Sequence, residues 1–188
     1  MNEVILLDSL ANHLTEHLKT HELKTKGGDC RSPCVFCQLL PLPKTPKVVP
    51  RNAEVAENPP DTYGPEDFEE NFPCVVVRYA DSTSESNKGS TVNMRILVGI
   101  YDDAPDAQGY RDVLNVMDDI ELFLAENETL DRRFRKEGQI EKALFTDQPW
   151  PVFFGEMRVR YTCSGPVKII KRKEGDWRDG TYPTKPEP

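Results

Sequence analysis

Residues 91–126 leave this chain few folds to choose from. Val92, Met94, Ile96, Val98 and Ile100 alternate with Asn93, Arg95, Leu97, Gly99 and Tyr101. A period of two places one aliphatic row on one face of a strand. Asp102, Asp103, Ala104, Pro105 and Asp106 follow as an acidic turn, and Pro105 stops the strand. A helical period then begins near Gln108. Tyr110, Val113, Leu114, Val116, Met117, Ile120, Phe123 and Leu124 share one half of its circumference, with Arg111, Asp112, Asn115, Asp118, Asp119 and Glu126 on the other. Asp106 is the expected N-cap, and Asp112 complements the positive end of the helix dipole. Leu122 falls on the polar side. The stretch reads as a strand, a tight acidic corner and an amphipathic helix folded back over the strand's apolar row.

The flanking segments supply the layers around it. Residues 2–21 form an amphipathic helix striped by Val4, Leu7, Leu10, Ala11, Leu14 and Leu18. A short strand over 33–40 is followed by an arm, about 41–72, in which no hydrophobic period survives and seven acids face one base from position 51 to 72. Residues 73–80 read as a strand, joined to the organising strand through a serine-rich hairpin connection over 81–90. Residues 140–145 and 152–163 read as two further strands, with Gly155 marking a bulge or bend. The expected fold is α+β: a single domain over 1–164, with a four- or five-stranded, mainly antiparallel sheet and two helices on one face. A basic, proline-containing extension follows over 165–188.

Composition narrows the function classes. A net charge of -8 over 188 residues argues against a nucleic-acid-binding surface across the whole molecule. No apolar run approaches the ~20 residues of a membrane span. The short apolar run at the start is bracketed by Glu3 and Asp8 without a basic start, so the expectation is a protein made in the cytoplasm. Five cysteines without scaffold-like spacing read as reduced thiols.

Cys30, Cys34, Cys37 and His21 offer zinc-ligand chemistry, and Cys34 and Cys37 have the knuckle spacing. Against a metal, the Cys34–Cys37 stretch reads as strand, where residues three apart point to opposite faces. Small semi-buried thiols are the plainer reading. No nucleophile motif, phosphate-binding glycine loop or cofactor signature is present, so no enzyme and no cofactor is expected.

Charge is sorted along the chain. Nine acids and one base lie between 102 and 128, while six bases and no acid lie between 158 and 173. In an assembly of identical subunits one copy's acidic face can meet its neighbour's basic one; a solvated helix face and tail is the alternative. The candidate subunit contacts are Leu122, Arg158, Arg160, Lys171 and Arg172.

Four pieces in order carry a resemblance: Val35-Phe36-Cys37-Gln38-Leu39-Leu40-Pro41, Phe72-Pro73-Cys74-Val75-Val76-Val77-Arg78, Leu97-Val98-Gly99-Ile100-Tyr101 leading to Gly109-Tyr110-Arg111-Asp112-Val113-Leu114, and Trp150-Pro151-Val152-Phe153-Phe154-Gly155-Glu156. Together they resemble the tail terminator (tail completion) proteins of long-tailed, non-contractile bacteriophages. That resemblance implies a structural virion subunit at the head–tail junction. It would form a hexameric ring that caps the tail tube, stops its polymerisation and meets the head connector, with no membrane role. The longer acidic arm and the basic extension depart from the family pattern. On this reading Asp81, Ser82, Ser84, Ser86, Asn87 and Lys88 form a projecting loop that touches the major tail tube protein. Asp102, Asp103, Asp106, Asp118 and Asp119 line a bore through which genome DNA passes without specific binding. A head-completion or neck protein, and a small zinc-binding regulatory module, are the alternatives.

Overall fold

The structure is a computed structural model and describes residues 2–41, 65–85 and 89–163. In chain order it contains α1 (Asn2–His17), continued by a 3-10 turn (Leu18–Thr20), then β1 (Leu23–Lys24), β2 (Cys30–Arg31) and β3 (Cys34–Cys37). A 3-10 helix (Pro65–Asn71) leads into β4 (Cys74–Glu85) and β5 (Gly89–Tyr101). After α2 (Tyr110–Glu126) come β6 (Thr129–Leu130), β7 (Phe134–Leu144) and β8 (Val152–Cys163).

The main sheet has the order β3-β4-β5-β8-β7-β6, with β1 and β2 forming a separate ribbon. Every pairing in it is antiparallel except β3 with β4. The fold is α+β as expected, but with six strands in the main sheet rather than four or five. The difference comes from elements too short to carry a period. β6 has two residues, and the β1–β2 ribbon closes around Gly28, whose φ of 85° is left-handed. The charged residues Arg135, Lys136 and Glu137, which show no apolar alternation, pair with β8 all the same. β7 lies towards the sheet edge, where charged side chains face water.

Both helices cover one face. Leu6, Leu7, Leu10, Leu14 and Leu18 of the first helical segment and Val113, Val116, Met117, Ile120 and Leu124 of α2 share one core with Val75, Val77, Met157, Val159 and Tyr161. All five members of the β5 aliphatic row are buried in that core. Each contributes about 1.5–3 kcal/mol relative to exposure.

Two local expectations are corrected. Gly109, not Asp106, is the N-cap of α2, and it has no side-chain cap. A Cβ there would lie 2.5 Å from the Phe153 ring and 2.7 Å from Asp102 Cβ, so the close approach excludes a capping side chain. Asp106 Oδ1 instead accepts from Gln108 N at 3.4 Å within the turn. Gly155 is not a bulge; it continues the ladder opposite Val98. Its missing side chain makes room for Val113 and Met117 of α2. The register breaks lie at Tyr79/Asp81 and Glu137/Glu141. α2 ends where Asn127 donates both its backbone N and its Nδ2 to Phe123 O, at 3.0 and 2.9 Å.

Candidate functional site

The face of the sheet away from the helices has no described element packed across its full width, and its side chains are graded along the strands. Read across β4, β5 and β8, one row is Cys74, Gly99 and Phe154, and the next is Val76, Leu97 and Glu156. Then come Arg78, Arg95 and Arg158, followed by Asp81, Asn93 and Arg160. β7 extends the last two rows with Glu141 and Glu137. One end of this open face is therefore apolar and the other is charged.

At the apolar end Phe72, Cys74, Val76, Tyr101 and Val152 are buried, with Phe36, Leu40, Phe68, Leu97 and Phe154 partly buried around them. Leu39, Leu40, Phe68, Leu97 and Phe154 edge a groove of about 390 Å³ that has Arg78 at one side. Leu39 and Trp150 stand 71% and 61% exposed. Gln38 turns the chain away from β3 with φ 65°, and its Oε1 accepts from Tyr79 N at 2.7 Å. One side chain thereby extends the ladder that β3 began.

In the arginine row three like charges stand on adjacent strands, an arrangement that costs stability. Glu156 relieves part of it, lying 3.0 Å from Arg158 Nε and 3.5 Å from Arg95 Nε. Glu141 lies 3.7 Å from Arg158 Nη1. Arg158 is held above the usual guanidinium range, first by its hydrogen bond to Glu156. Among the described residues Arg78 has no carboxylate partner. Arg160 Nε donates to Asn93 Oδ1 at 3.3 Å, and Asn93 Nδ2 donates to Asp81 Oδ1 at 2.6 Å.

On the opposite side of the molecule α2 presents Leu114, Asp118, Leu122 and Glu126 outward, with Leu122 57% exposed. Arg158 and Arg160 therefore lie on the open sheet face and Leu122 on the helix layer. Within one copy they do not meet. Lys171 and Arg172 lie outside the described residues.

The expected projecting loop is shorter than 81–90. β4 runs to Glu85 and β5 starts at Gly89, because the ladder continues through Thr83 opposite Thr91 and Ser84 opposite Ser90. Backbone pairing does not need apolar side chains, so serine content misled the reading. Asp81, Ser82 and Ser84 are strand residues. Ser86, Asn87 and Lys88 lie outside the described residues.

The five acids assigned to a bore fall in two places. In the β5–α2 corner Asp102 Oδ1 accepts from Ala104 N at 3.0 Å, and Asp103 pairs with Lys24. The hydrogen bond from Lys24 holds the Asp103 carboxyl below the usual carboxylate range. Asp112, one turn into α2, is pushed up by partial burial and then by Asp102. On α2, Asp118 lies 2.6 Å from Lys142. Asp119 Oδ2 is hydrogen-bonded to His21 Nε2 at 2.8 Å. His17 Nε2 lies equally near that oxygen but out of hydrogen-bonding direction, so His21 is its partner. The His21 bond ties the chain just past the 3-10 turn to α2, a role the sequence reading missed.

The structure does not gather the zinc candidates. Cys30 is exposed on β2, Cys34 and Cys37 sit at the two ends of β3, and His21 is engaged by Asp119. Among the described residues no three His, Cys, Asp or Glu side chains stand together as a metal site. No family model matches the chain, and no curated protein matches it. No described helix is long and apolar enough to cross a membrane.

All five cysteines are free. Burial pushes the Cys74 thiol up to about 12. At pH 8 its thiolate fraction is about a thousandth of an ordinary thiol's, so iodoacetamide should label Cys30 rapidly in the native protein and Cys74 only after unfolding. Mass spectrometry of peptides from briefly labelled protein checks this, and early labelling of Cys74 would contradict its burial.

Proposed function

We propose that this chain is the subunit of a ring, hexameric by the family resemblance, that caps the tail tube of a long-tailed, non-contractile phage. The ring stops tube polymerisation and joins the tail to the head connector, so the protein acts in the virion at the head–tail junction. The observation that carries this reading is the open face of the sheet, with its apolar groove, three arginines in register and no described element across its width. Such a surface suits a protein partner better than a small substrate. Its partners are copies of itself, the tail tube protein and a head-completion protein, with the genome passing through unbound. The acids of the β5–α2 corner, exposed at Asp103 and Asp106, would repel phosphate along such a path.

Electron microscopy of infections lacking the protein tests the reading. Overlong tails detached from full heads are the expected outcome. Tails of ordinary length beside unjoined heads would move the protein to the head-completion side, and intact particles would overturn both assignments.

A further inference from the structure

Ring closure requires that two different surfaces of one subunit meet, because a patch that pairs with itself ends at a dimer. The two helices lie on one face of the sheet, so the outer side of α2 and the open sheet face point in opposite directions. Each carries what the other lacks. The helix side presents leucines among acids, and the sheet side presents an apolar groove beside arginines.

The spacings agree as well as the chemistry. Leu114, Asp118, Leu122 and Glu126 are each four residues apart. They form one ridge in which leucine and acid alternate about every 6 Å. On the sheet, the row containing Leu97 and the row containing Arg95 are two residues apart along β5, a step of about 6.6 Å. A leucine of the ridge set beside Leu97 and Phe154 therefore brings the next acid to the arginine row. Arg78 fits this best, since it borders the groove and has no carboxylate partner among the described residues.

We infer that the occupant of the open face is a second copy of this chain, whose α2 ridge places Leu122 in the groove and Glu126 against Arg78. The contact is heterologous and leaves a free ridge and a free groove at its two ends, so it propagates until a ring closes. This inference rests on the ring-forming reading and gives it a surface. Lys142 already holds Asp118 and Glu121 within the same copy, which leaves Glu126 as the acid free for the neighbour.

The test uses the full chain with Arg78→Glu, with Glu126→Lys, and with both in one chain. Arg78 and Glu126 are exposed, and circular dichroism should be unchanged in all three. Sedimentation velocity over a concentration series should show self-association weakened at least about tenfold by each single change and regained in the double variant, because reversing both charges restores attraction across every contact. Equal weakening in the double variant overturns this pairing. Self-association unaffected by either change would mean that something else covers the groove, residues 42–64 of the same chain included, and it overturns the contact too. So does a wild-type chain that stays monomeric up to about 1 mM. Tail length in infected cells is scored separately, so the contact can fail while tail capping stands, and the reverse.

Discussion

Gly155→Val is expected to lower the stability of the folded chain by about 3 kcal/mol, seen as a lower urea midpoint at unchanged slope. Gly155 lies on β8 between Val98 and Leu144, on the side covered by α2. A Cβ added there would stand 2.8 Å from both Met117 Sδ and Val113 Cγ1. The methionine can swing aside at small cost, since its side chain is flexible. The valine cannot, because its single preferred helical rotamer fixes the methyl groups. The helix itself must then lift, which loosens the apolar row of β5 beneath it. Gly155→Ala should cost less, about 1 kcal/mol, and Val113→Ala in that background should recover part of the loss, with a coupling of at least ~0.5 kcal/mol. Additive effects of the two changes would contradict the contact.

Leu10→Ala should cost about as much, in the range of ~2–5 kcal/mol, because the side chain is fully buried and the surrounding core closes over the void only in part. Attachment of α1 rests mainly on five buried leucines from Leu6 to Leu18. Its polar links are Ser9 Oγ and His13 Nε2 to Asp131, at 2.5 and 3.2 Å, with His21, just past the 3-10 turn, hydrogen-bonded to Asp119. Asp119, its partner His21 and the nearby His17 remain between 25% and 30% exposed. Solvent screening should therefore hold the cost of Asp119→Ala to about 1 kcal/mol. Denaturation of the two variants side by side decides which kind of contact holds the helix. A larger loss from Asp119→Ala than from Leu10→Ala would make the joint electrostatic.

The parts of the fold legible in the sequence are those where burial on one face imposes a period. The aliphatic row of β5, the span of β8 and most of the two helix stripes follow from that rule, although Val4 and Leu114, read into the stripes, are exposed, and Leu6, left out of the first, is buried. Where it lapses, the reading failed. The outer half of β4 extends through serine and threonine, β7 is charged, and β6 and the β1–β2 ribbon are two residues deep. The glycines misled for a related reason, since their roles are set by a neighbour distant in sequence: Phe153 at Gly109, and Val113 with Met117 at Gly155. Leu122, Arg158 and Arg160 could be named from sequence as surface residues. Their placement on opposite sides of the molecule, and the alignment of Arg78 with Arg95 and Arg158, depend on strand register.

Ionic strength acts unevenly along that arginine row. Glu156 and Glu141 stand beside Arg95 and Arg158, so electrolyte screens attraction there as well as the repulsion between neighbouring guanidinium groups. Arg78 has no such carboxylate among the described residues, and its charge acts outward over the ~8 Å that physiological salt leaves unscreened. A dilute medium therefore tightens the hold of that one residue on any acidic guest, while the rest of the row stays occupied within its own sheet.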